Sequence, residues 1–156
     1  MNVVPAQRVK GFTLIEILLV IALIAILATA IIVALNPKRQ ISEANNTTRA
    51  SHINAILSAV NQYTVQNKGV LPDTIPTTVT CNESGSNQIC QTGVDCQTGV
   101  DLSALTDDEL YMVALPVDPL CEDAELTCYF ISQSANGRVT VCAPEAENDE
   151  VISTTM

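Results

Sequence analysis

Glu16 is the only ionisable side chain in a run of 24 otherwise uncharged, mostly apolar residues, 12–35. A carboxylate inside a membrane-length apolar segment costs roughly 2.5–3.5 kcal/mol at mid-depth, so it marks a functional candidate whose partner must be named. Four residues upstream, on the same helical face, stands Phe12. The partner that suits an acid there is a cation, such as an amine at neutral pH. Ammonium and carboxylate attract strongly in low-dielectric surroundings, although desolvation offsets much of the gain, so such a pair selects register more than it adds stability. Thr13 and Glu16 also have capping-box spacing, and an acid in a first turn suits the helix dipole, so a capping role stands beside the pairing role.

Other residue types with chemical potential are few. Six cysteines, Cys81, Cys90, Cys96, Cys121, Cys128 and Cys142, all lie after residue 80. Six cysteines can pair in fifteen ways and spacing alone does not choose among them. A zinc site would need Cys-x-x-Cys pairs or nearby histidine, both missing, so disulfides and an oxidising compartment are expected. Asp118, Glu122, Asp123 and Glu125 form an acidic loop that offers oxygen ligands for calcium, or simply a solvated acidic turn. His52, the single histidine, reads as a solvated or partly packed helical residue. There is no nucleophile–base–acid set and no phosphate-cradling glycine loop, so neither an enzyme nor a cofactor is expected.

The elements that hold these residues follow from periodicity. Residues 12–35 contain no Gly or Pro and would form a helix of about 36 Å, enough to span a bilayer. A secretory signal has a shorter apolar core before its cleavage site; small residues near 28–30 keep that alternative open, while the length and the buried acid oppose it. Asn36-Pro37 would ordinarily bend or end a helix. A helical pattern then resumes through Ile41, Ala44, Thr48, Ile53, Ile56, Leu57, Val60 and Tyr63, with Lys68-Gly69 as its stop.

Charge divides the chain sharply. Residues 1–35 balance at +1 and 36–69 at +3, whereas 70–156 hold fifteen acidic residues against one basic, Arg138. A head this acidic repels nucleic acid, so no direct binding is expected there. Lys38 and Arg39 beyond the apolar run nearly cancel Arg8 and Lys10 before it, and the cysteines favour an N-terminus-in orientation.

Lys10-Gly11-Phe12-Thr13-Leu14-Ile15-Glu16 followed by an unbroken apolar run resembles the N-terminus of type IV pilins and the pseudopilins of type II secretion. The resemblance implies a leader over 1–11 carrying Arg8 and Lys10 for recognition. It implies cleavage between Gly11 and Phe12 by a prepilin peptidase, N-methylation of Phe12, and a role for Glu16 in subunit assembly. It also implies a type IV pilin-like α+β fold: a long N-terminal helix, its lower half transmembrane (12–35) and its upper half (36–69) packed on a small antiparallel sheet of a disulfide-stabilised head (70–156). The expected partners are copies of the chain in a helical filament, the processing enzyme, an inner-membrane assembly platform and the bilayer. The expected location is the cytoplasmic membrane, then a surface filament. Family members often carry Pro at the position matching Val33; here Pro37 either replaces that weak point or acts as a plain kink. Leu115-Pro-Val-Asp-Pro119 resembles a segment of major pseudopilins, but Leu120-Cys121 follows where Trp-Gly is usual, and a pseudopilin of a secretion or DNA-uptake pseudopilus is the alternative. Some pseudopilins bind calcium in a comparable loop. A monomeric membrane-anchored binding module is the second alternative.

In the head, 70–100 reads as a long loop containing the tandem Gln91-Thr-Gly-Val-Asp95 and Gln97-Thr-Gly-Val-Asp101, taken as a local duplication. Residues 101–110 read as a short helix capped by Ser103 or Thr106, 111–115 as a strand, and 127–133 with 138–143 as a hairpin around Asn136-Gly137. A two-residue turn there sets Cys142 opposite Ile131, which disfavours a Cys128–Cys142 rung. The acidic tail, 144–156, is expected to be exposed.

Overall fold

A computed structural model of the chain describes residues 11–34, 36–78, 81 and 86–156. Arg8 and Lys10, expected to serve leader recognition, lie outside the described residues. Two compact units result, Met1–Gln40 and Ile41–Met156.

In the first unit, helix α1 spans Leu14–Ala34. Its stretch Leu14–Ile32 is long and apolar enough to cross a membrane, and none of it is buried. Such a surface is stable only against lipid or other apolar helices. Thr29 returns its hydroxyl to the Ala25 carbonyl at 2.8 Å, which satisfies a polar group without any outside partner. Helix α2 spans Pro37–Gln66. The sequence predicts a single helix through this region; among the described residues the helix is interrupted at Asn36. Asn36, at φ 42°, adopts the left-handed conformation typical of a helix end, and Pro37 occupies a first helical position, where its missing N–H costs nothing.

In the second unit the buried face of α2, Asn46 to Val60, lies on a four-stranded antiparallel sheet of order β1-β2-β3-β4: Gln88–Cys90, Leu126–Gln133, Val139–Ala143 and Ile152–Thr155. Ile53, Ile56, Leu57 and Val60, spaced by three and four, bury one stripe of α2 against Tyr129, Ile131, Val139 and Val141. Ile75, Leu102, Leu105 and Leu115 close the same aliphatic core. Ile41, counted on that stripe from its spacing, is 61 % exposed. At the far end Lys68 and Gly69 turn left-handed, and Gly69 N–H closes on Thr64 O at 2.8 Å, so the helix stops where its sequence marks a stop.

Several local expectations are corrected. The hairpin turn holds three residues between Ser134 and Arg138: Ser134 N–H meets Arg138 O at 2.8 Å, and Gly137 takes φ 75°. That extra residue moves the register by one, so Cys142 faces Phe130 and Ile131 faces Val141. Residues 111–115 form no strand; Met112 N–H bonds to Leu105 O and Leu115 N–H to the Thr92 hydroxyl. The short helix α3 covers only Ser103–Thr106, and Asp101 Oδ1, not Ser103 or Thr106, accepts the first free N–H, that of Ser103, at 2.8 Å. Asp107–Glu109 form a separate 3₁₀ turn. The long loop contributes edge strand β1, and the acidic tail folds back to contribute β4, with Ile152 buried. The two copies of the tandem differ in use. Gly99 lies where a Cβ would come within 2.6 Å of Gln88 O, whereas nothing lies within 4 Å of a Cβ at Gly93.

All six cysteines are paired: Cys81–Cys142, Cys90–Cys96 and Cys121–Cys128. The first ties the 70–87 region to β3, and no rung joins Cys128 to Cys142.

Candidate functional site: the N-terminal helix and the clasp on α2

Phe12 is 80 % exposed, and Gly11 has open space wherever a Cβ would project. No described residue comes close enough to require glycine at 11. Glu16 closes a capping box with Thr13: its Oε2 accepts from Thr13 N–H and hydroxyl at 3.4 Å, and its own N–H donates to Thr13 Oγ1 at 3.3 Å. These are long bonds on an exposed turn, so the carboxylate is held loosely and remains open to a stronger donor.

The head contains a second polar constellation, one the sequence reading missed. Arg49 and Asp118 form a fully buried bidentate pair, Nε donating to Oδ2 at 2.6 Å and Nη2 to Oδ1 at 3.0 Å. Nη1 donates to Asn46 Oδ1 at 2.9 Å and Glu147 Oε2 at 3.1 Å. Glu147 also accepts from the Ser42 hydroxyl at 2.7 Å and Asn45 Nδ2 at 2.8 Å. Asn46 Nδ2 donates to Glu147 O and to Glu150 Oε2. The clasp thus fastens 147–150 onto the first turns of α2. Hydrogen bonding to Asp118 raises the Arg49 pKa against the opposing effect of burial, and the bonds from Asn45 and Ser42 hold the Glu147 carboxyl below its ordinary value. Arg49 lies four residues before Ile53, on the apolar stripe, and that placement was the available signal that it is buried and must be paired.

His52 is half-buried and shares a 2.9 Å hydrogen bond between Nδ1 and the Tyr129 hydroxyl; burial lowers its pKa and raises that of Tyr129. The calcium candidates are not brought together. Asp118 is committed to Arg49 and the Leu120 N–H, Asp123 Oδ1 accepts from Glu125 and Leu126 N–H, and no metal-holding cluster of three occurs among the described residues.

Comparison with curated proteins and with solved structures finds no match. Residues 6–32 match the family model of the prokaryotic N-terminal methylation motif, a span that contains Gly11, Phe12, Glu16 and most of α1. The chain thus carries the leader motif of type IV pilins and pseudopilins, joined to a helix of membrane-spanning length and a disulfide-bonded α+β head, as a precursor of the pilin type does.

Proposed function

We propose that the chain is a structural subunit, a pilin, of a type IV pilus-like filament. The carrying observation is the methylation motif running directly into an apolar helix that is not buried among the described residues and whose one acid stands in its first turn. The precursor inserts in the cytoplasmic membrane with residues 1–11 inside. A prepilin peptidase cuts between Gly11 and Phe12, and the new N-terminus is methylated. Helix α1 then leaves lipid for a bundle of identical helices, which conserves its apolar burial. Glu16 of an incoming copy exchanges its weak bonds to Thr13 for the cationic Phe12 amine of its neighbour, and this fixes the axial register.

Glu16→Gln in cells tests the step. Cleaved subunit is expected at normal level in the membrane, with sheared filaments reduced at least about tenfold, since loss of a charge-assisted contact of about 1.5–3 kcal/mol recurs at every subunit. Normal filament yield from Glu16→Gln would refute charge pairing.

A further inference from the structure

Charge sets a further requirement for packing copies side by side. Residues 41–156 carry sixteen acidic side chains against Arg49, Lys68 and Arg138, and Arg49 is used internally. Surfaces so strongly of one sign repel, and association between copies needs a complementary cationic patch. Lys38 and Arg39 supply one, both exposed in the first turn of α2.

One turn further along α2, an open cavity of about 370 Å³ is lined by Glu43, Asn46, Thr47, Ala50 and Glu150. Its wall is held in place. Asn46, 3 % exposed, fixes Glu150 Oε2 at 2.7 Å and Glu147 O at 2.8 Å, while Ser42 and Asn45 hold the Glu147 carboxylate behind it. The carboxylates are therefore positioned before any cation arrives, which reduces the ordering cost of a contact. Lys38 precedes Ser42 by four residues and Arg39 precedes Glu43 by four. A shift of four residues, about 6 Å, along α2 brings Lys38 of one copy level with Ser42 and Arg39 level with Glu43 of another, where the cavity begins.

We propose that the cavity between α2 and the 147–150 segment receives Lys38, with Arg39 beside it, from a second copy of this chain displaced by one helical turn. The proposal rests on the filament reading above. Arg39 and Glu43 have interactions of their own within the chain, so Lys38 and Glu150 carry the contact.

Filaments assembled by the full chain from mixed isotopically light and heavy copies test it by zero-length carbodiimide coupling and peptide mass spectrometry. Lys38 joined to the Glu43 or Glu150 peptide in light–heavy pairs is expected. Coupling of Lys38 only within one copy, or none in intact filaments, overturns the proposal. In parallel, Lys38→Glu and Glu150→Lys singly should each lower filament yield about tenfold, and the charge swap combining them should recover most of it. Lys38→Glu lies outside the head core, so unchanged subunit level and disulfide content exclude misfolding as the cause. A swap no better than the single variants overturns the interface. Filaments that form normally in every variant overturn it while leaving the filament reading intact, whereas absence of filaments from the unaltered chain removes both.

Discussion

Replacing Arg49 by Met keeps the length of the side chain and removes the guanidinium. Asp118 is then left fully buried, with the backbone N–H of Leu120 at 2.9 Å as the remaining donor to its carboxylate among the described residues, in place of a bidentate cation. Removing one partner of a buried pair costs about 3–5 kcal/mol, most of it the penalty of the stranded charge. For a head of this size each kcal/mol is worth about 3–6 °C, so the melting temperature should fall by about 9–30 °C. The partner substitution separates the stranded charge from lost packing. Arg49→Met with Asp118→Leu removes both charges, and its stability is expected within about 1 kcal/mol of the unaltered chain. Urea and thermal unfolding of the detergent-solubilised chain with disulfides intact, followed by tyrosine circular dichroism, gives both values. A single variant that loses less than about 1 kcal/mol, or a double variant as unstable as the single, would refute the view that the clasp is a desolvated ion pair.

Acid should loosen the head in two steps. The His52 pKa is depressed from the ordinary 6.5 by burial, so its contribution is complete above that value and is lost as pH falls through the lowered one. Glu147 is depressed from 4.5 by its bonds to Asn45, Ser42 and Arg49, so its contribution is complete above 4.5 and fades below it. Melting temperature measured across that range should therefore decline on acidification, and His52→Phe should remove the upper step. Disulfide removal should follow loop length: Cys81 and Cys142 are 61 residues apart and Cys90 and Cys96 only 6. Chain-entropy estimates give about 4 and about 2 kcal/mol respectively, so paired Ser substitutions, compared by urea unfolding, should be about twice as costly at the first bridge.

The N-terminal helix was legible because nearly every position agrees: an unbroken apolar run, one acid, and a basic residue and glycine immediately before it. The stripe Ile53, Ile56, Leu57 and Val60 was legible for the same reason, since spacing by three and four leaves little choice of face. Strands β1 and β4 were not, because three and four residues carry too short an alternation to stand out from Thr- and Ser-rich surroundings. They exist because neighbouring strands and the Cys81–Cys142 bridge bring them into register, a tertiary cause that local pattern does not contain. Asn136-Gly137 marked a turn correctly but not its length, and one residue of length decides which side chains face each other. Arg49 enters the charge balance of 36–69 as one cation among several, although its phase on α2 places it inside.

Everything proposed for assembly depends on a mature chain that starts at a charged amine four residues before Glu16. Mass spectrometry of the N-terminal peptide from sheared cell-surface material measures this directly. The expected peptide begins at Phe12 and is one methyl group heavier than the unmodified sequence; a surface protein that still begins at Met1 contradicts the account.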